Sequence, residues 1–82
     1  MNGKEKLQSI RQNLWVDVVY GSIESYEFEE VMGEYEIENG ILYHYLDQMP
    51  FDRDGVHATG REFWDEESQQ WWNEYEDGVG RR

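Results

Sequence analysis

A single dipeptide, Asn39-Gly40, sets the tightest limit on how this chain folds. Asn and Gly both accept the positive φ angles of a type I′ turn, whose twist matches that of paired strands. Before it, residues 34 to 38 alternate acid with Tyr35 and Ile37; after it run Ile41, Leu42, Tyr43, His44, Tyr45 and Leu46. The pattern predicts antiparallel strands over 34–38 and 41–46. In that register Ile37 opposes Leu42 and Tyr35 opposes His44.

The flanking segments are read outward from this hairpin. Residues 4–14 read as a helix, because Leu7, Ile10 and Leu14 recur on one face. Lys4 and Lys6 oppose the dipole at its start, so fraying of the first turn is expected. Residues 15–20, rich in β-branched and aromatic side chains, read as a strand. Gly21-Ser22 then suits a type II′ turn into a strand over 23–32, with Gly33 as a bend or bulge. Two alternatives stay open: the first helix continuing through Val18, and a short helix from Ser25 to Met32. Pro50 and Asp54-Gly55 mark a loop over 47–58. Thr59 and Glu62 fit a capping box, and Trp64, Trp71 and Tyr75 keep helical spacing, so a helix is expected over 60–77. Residues 78–82 form a loose tail. The expected fold is α+β in one small domain: an N-terminal helix, a three- or four-stranded antiparallel meander and a C-terminal helix.

Charge narrows the function classes. Nineteen acids against seven Lys and Arg give a formal net charge of -12 over 82 residues. Such a surface repels nucleic acid and anionic membrane, and the expected partner is a basic protein surface. The bland alternative is that the acids only keep the chain soluble. Apolar residues are 38% of the chain, and 16% of it is aromatic. The rings bury large areas, which favours a folded domain over disorder. Without cysteine there is no disulfide and no thiolate metal site. The N-terminus lacks the apolar run of a signal peptide, and no stretch is apolar enough to span a bilayer.

Chemistry-bearing motifs are sparse. Asp52-Arg53-Asp54-Gly55 resembles part of a calcium loop, but the first ligand position then falls on Pro50 and the twelfth on Arg61. His44 and His57 have no partner at ligand spacing. With nineteen carboxylates some pair always lies at a catalytic separation, so proximity is uninformative. Neither a nucleophile elbow nor a phosphate-binding loop is present. The expectation is a non-enzyme with no metal and no cofactor. The tryptophans could stack bases, but a base-stacking site needs a positive groove. Trp64, Trp71 and Tyr75 are assigned to the core. Trp71 and Trp72 are adjacent, so one helix face cannot bury both, and Trp72 is the candidate exposed anchor for a partner.

The acids themselves are the candidate contacts. Glu24, Glu27, Glu29, Glu30, Glu34, Glu36 and Glu38 occur with no Lys or Arg between them. On strands, Glu34, Glu36 and Glu38 form one row about 6.6 Å apart, and Glu27 and Glu29 a second. Like charges so placed cost stability, and ordinary solvated faces relieve that with Lys. Asp65, Glu66, Glu74, Glu76 and Asp77 make a second patch. Acid at the end of a helix over 60–77 is unfavourable, which hints at another use for it.

The acidic run 23–38 together with 63–77 resembles the small acidic inhibitors of phages and mobile elements, including DNA-mimic anti-CRISPR and anti-restriction proteins. The resemblance is one of size, charge and aromatic content rather than of a motif. It implies a stoichiometric inhibitor in the cytoplasm of a bacterial host, blocking the basic nucleic-acid-binding surface of a defence complex and so serving antiviral defence evasion. Two other classes fit: an adaptor or subunit that binds through its aromatic face, and an acidic antitoxin-like partner of a basic nuclease.

Overall fold

Asn39 and Gly40 take φ values of 53° and 80° in a computed structural model, whose described residues are 1–46, 58–75 and 80–81. The turn joins β1 (Tyr35–Glu38) to β2 (Ile41–Tyr45), with Tyr35 opposite His44 and Ile37 opposite Leu42 as the dipeptide dictates. Along β1 burial alternates residue by residue, so Tyr35 and Ile37 turn inward and Glu36 and Glu38 outward. The sheet continues with β3 (Ala58–Asp65), β4 (Gln70–Tyr75) and the two-residue β5 (Gly80–Arg81), all antiparallel in the order of the sequence.

Two helices precede the sheet, α1 (Gly3–Val19) and α2 (Ser25–Met32), so the α+β class is correct and its inner arrangement differs. The strand expected over 15–20 is the second half of α1. Extending a helix adds a hydrogen bond per residue without a new nucleus, and Leu14 and Val18 prolong the stripe of Leu7 and Ile10. Nor does the first turn lack support. Asn2 Oδ1 accepts from the Glu5 amide at 2.9 Å and Glu5 Oε1 accepts from the Asn2 amide at 3.0 Å. This reciprocal capping box satisfies two amides that the helix cannot.

Gly21-Ser22 ends α1 instead of turning a hairpin. The Ser22 amide donates to the Asp17 carbonyl at 2.8 Å and the Gly21 amide to the Val18 carbonyl at 3.0 Å. With Gly21 at φ 78°, this is a Schellman motif. The strand expected over 23–32 is α2, whose Phe28, Val31 and Met32 lie three and four residues apart and face inward. Trp15 meets Phe28 edge-on at 5.4 Å, which joins the two helices.

The helix expected over 60–77 is not shown; its described part, to Tyr75, is the β3–β4 hairpin, and residues 76 and 77 lie outside the described residues. Period two fits this segment better than period 3.6. Strand pairing sets Trp64 against Trp71 on one face and Phe63 against Trp72 on the other. Adjacent Trp71 and Trp72 therefore point opposite ways, which removes the conflict that a helix creates. Asp65 reverses the chain: its carboxylate accepts from Ser68 Oγ at 2.6 Å and from the Ser68 and Glu67 amides. The loop expected over 47–58 lies outside the described residues but for Ala58, which opens β3; of the tail expected to be loose over 78–82, Gly80 and Arg81 instead pair with β4 as β5, and the other three lie outside the described residues.

The core is small. Phe28, Leu42, Trp64 and Tyr75 are its buried apolar residues among those described. Leu42 is 0% exposed because α1 starts directly above it; a Cβ on Gly3 would stand 2.9 Å from the Leu42 amide nitrogen. Trp64 Nε1 donates to the Met1 carbonyl at 3.0 Å, and Lys6 Nζ sits 4.5 Å from the Trp64 ring centre. The molecule measures 44 × 25 × 19 Å, long because the end of α1 and α2 reach past the sheet.

Candidate functional site

The outward sheet face carries three rings in register, Tyr43 on β2, Phe63 on β3 and Trp72 on β4, each half-buried. Trp72 Nε1 donates to Ser68 Oγ at 2.9 Å, so the expected exposed anchor is held by the β3–β4 turn and only partly open. Beside the rings lies Arg61. Its Nε donates to Glu74 Oε1 at 2.7 Å, one terminal nitrogen to Glu74 Oε2 at 3.2 Å and the other to Glu38 Oε2 at 2.9 Å. The guanidinium carbon stands 3.7 Å from the centre of the Tyr43 ring. Sequence reasoning assigned Arg61 no role on this face. Its signal was the scarcity of cations: between Arg11 and Arg81 the sequence holds only Arg53 and Arg61.

Arg61 divides the expected acidic contacts into neutralised and bare. Glu74 is held below the usual carboxylate range, chiefly by the Arg61 hydrogen bonds, with Thr59 Oγ1 adding another at 2.9 Å. Arg61 is raised above its ordinary range, first by Glu74. The guanidinium is thus saturated by carboxylates and offers an anionic ligand little. Glu36 accepts from the Tyr45 hydroxyl, which pushes that phenol up. Glu34 and Glu62 flank His44, each carboxylate 3.0 Å from one ring nitrogen, while Tyr35 stacks on the imidazole at 4.5 Å. Of the expected row Glu34, Glu36, Glu38, only Glu36 and Glu38 lie together on the outward face of β1; Glu34 precedes the strand and turns to His44 on the face of Tyr35, and all three have partners. Asp65 sits below the usual carboxylate range because Ser68 donates to it, and Glu66 is exposed in the same turn. Glu76 and Asp77 lie outside the described residues.

The acids of α2 are different. Glu24 is its N-cap residue without a side-chain cap bond, Glu27 lies half-buried in the first turn, and Glu29 and Glu30 are exposed. Among the described residues none of the four has a side-chain hydrogen bond or ion pair. The expected second row of Glu27 and Glu29 does not form, since residues two apart on a helix point away from each other. In its place Glu29 and Glu30 lie three and four residues after Tyr26, which is 62% exposed. A phenol ring between two free carboxylates marks the outer side of α2. The helix ends on these acids with no basic residue in its last turn, so the dipole opposes them.

No cluster of three His, Cys, Asp or Glu side chains able to hold a metal occurs among the described residues, and no helix there is long and apolar enough to cross a membrane. The arrangement suits recognition of cations and apolar surface by a folded scaffold. Comparison of the chain with family models, with curated proteins and with solved structures finds no match in any of the three.

Proposed function

We propose that this protein is a non-enzymatic, protein-binding inhibitor of the anti-CRISPR or anti-restriction type, which occupies the basic nucleic-acid-binding surface of a host defence complex. One observation carries the reading: Glu24, Glu27, Glu29 and Glu30 stand unneutralised on α2, inside a stretch from 12 to 46 that holds eight acids and no Lys or Arg. Such crowding lowers stability through self-repulsion, and a cationic partner supplies the missing counter-charge. The partner-facing acids are these four, with Glu36 and Glu66 next to them in priority. Glu34, Glu38, Glu74 and Asp65 serve the fold first, because their carboxylates hold His44, Arg61 and the β3–β4 turn.

Displacement of a labelled oligonucleotide from a basic nucleic-acid-binding protein tests this. The wild type competes at low salt and loses the competition as salt rises past the physiological range. Glu29→Lys with Glu30→Lys weakens it at every salt concentration. Competition that is indifferent both to salt and to this charge reversal overturns the reading in favour of an adaptor bound through aromatic surface.

A further inference from the structure

β1 stands at one end of the five-stranded sheet, so among the described residues its outer edge faces no other strand. The two-residue turn at Asn39-Gly40 makes Glu38 and Ile41 a hydrogen-bonded pair, and such pairs alternate along an antiparallel ladder. The Tyr45 amide donates to the Glu34 carbonyl at 2.8 Å, in the same phase. Glu36 and Glu38 therefore direct their amides and carbonyls to β2, while those of Tyr35 and Ile37 point away from it. Among the described residues no hydrogen bond reaches these outward groups. An open row of this kind is a template for one more strand.

What can pair there is decided by the side chains that the register brings together. Residues directly opposite each other share a sheet face, so an added strand meets Glu36 and Glu38 on one face and Tyr35 and Ile37 on the other. A second copy of β1 is disfavoured. An antiparallel pair built on the outward groups matches odd residues with odd, and so sets glutamate against glutamate in every register. Cations of this chain leave the edge acidic. Arg61 is shared by Glu38 and Glu74, and Glu36 has only the neutral Tyr45 hydroxyl. On α1, Lys6 lies against Trp64, and Lys4 and Arg11 line grooves formed by residues 1–16. Glutamates on an edge thus repel acidic strands and leave a basic one as the fitting occupant.

We propose that the outer edge of β1 is a docking site for an extended segment of the partner protein, in which Lys or Arg alternates with apolar residues. The segment adds a strand antiparallel to β1, its cations beside Glu36 and Glu38 and its apolar residues beside Tyr35 and Ile37. This rests on the reading of the chain as a binder of a basic partner and names one contact of that complex. Backbone pairing supplies an attachment that salt does not screen, while the acids steer the encounter.

Two synthetic peptides of about eight residues test it, long enough to span β1. One alternates Lys with Val; its twin has the same sequence with the Val amides N-methylated, so charge and side chains are kept and the bonding edge is lost. The other edge of the twin can bond only by setting Val against the glutamates. Fluorescence anisotropy with the wild type should show the unmethylated peptide bound about tenfold or more tightly than its twin. Hydrogen exchange at the Tyr35 and Ile37 amides should slow with that peptide and not with the twin. Ile37→Pro removes an outward amide but no β1–β2 bond, and should narrow the gap. Should that variant lose its sheet, the peptide pair on the wild type still decides. Equal binding of the two peptides, or exchange at Tyr35 and Ile37 that a bound peptide leaves unchanged, overturns the proposal. So does sedimentation of the free protein as a dimer in which those amides are already protected. If neither peptide binds while oligonucleotide displacement succeeds, the docking edge alone is refuted. If displacement fails as well, the inhibitor reading falls with it.

Discussion

At Glu74 two carboxylate oxygens meet one guanidinium that is also shared with Glu38. Because the folded state lowers the Glu74 proton affinity, its contribution to stability is fully present above the unfolded carboxylate range. It is lost as pH falls through the still lower folded value. Chemical denaturation of wild type and Glu74→Gln should therefore differ by about 1–2 kcal/mol at neutral pH. That difference should shrink as pH drops below about 4.3, where the unfolded carboxyl takes up its proton. A difference that stays constant to pH 2 contradicts the pairing. At the residue scale the sequence is least informative about partners. Arg61 was legible as a rare cation, but its place against Glu38 and Glu74 depends on strands 13 and 23 residues apart in sequence.

At the scale of elements, local signals competed and the tertiary context chose. Asn39-Gly40 has one strong use, so the β1–β2 hairpin was legible down to its register. Gly21-Ser22 has two, since a glycine at positive φ closes a hairpin or ends a helix equally well. The preceding helix decided between them. Residues 58 to 75 misled because Trp64, Trp71 and Tyr75 satisfy helical spacing while Trp64 and Trp71 also pair across a hairpin. Asp65 is the element that settles this turn. Asp65→Ala should lower the melting temperature through loss of the Ser68 and Glu67 hydrogen bonds. An unchanged melt would place the turn's stability elsewhere. The end of α2 carries the opposite prediction. Glu29→Lys and Glu30→Lys each remove an acid from the negative helix pole and should stabilise the free protein by about 0.3–1 kcal/mol. Stabilisation of the isolated protein together with weaker partner binding is the signature of charges kept for binding. Destabilisation would mean that those acids support the fold.

For the whole molecule, a net charge of -12 on 82 residues works against compaction. Adding sodium chloride should raise the melting temperature of the free protein, because screening relieves repulsion among the α2 acids more than it weakens the half-buried Arg61 pairs. The same salt should weaken the complex with a basic partner, so the two measurements move in opposite directions. A melting temperature that falls with salt would show that ion pairs outweigh repulsion. The buried apolar residues among those described, Phe28, Leu42, Trp64 and Tyr75, are few, and Val19, Tyr20 and Tyr26 stay largely in water. An elongated body of 44 × 25 × 19 Å leaves much of its apolar surface uncovered, as a chain that completes its burial on a partner would.

Some of this protein was settled by residue order alone. The β1–β2 register follows from two residues whose backbone preferences admit one tight turn, and the acidity follows from counting. The start of α1 was also written locally, in Asn2 and Glu5, although the capping signal there lies one turn before the apolar stripe that drew attention. Folding in three dimensions decided which acids are spent internally and which stay bare. A carboxylate's neighbours depend on strand pairing and on which cation lands opposite it, and neither is encoded within a few residues of the acid. Glu38 and Glu30 are indistinguishable in the sequence; one faces Arg61 across the sheet and the other faces water.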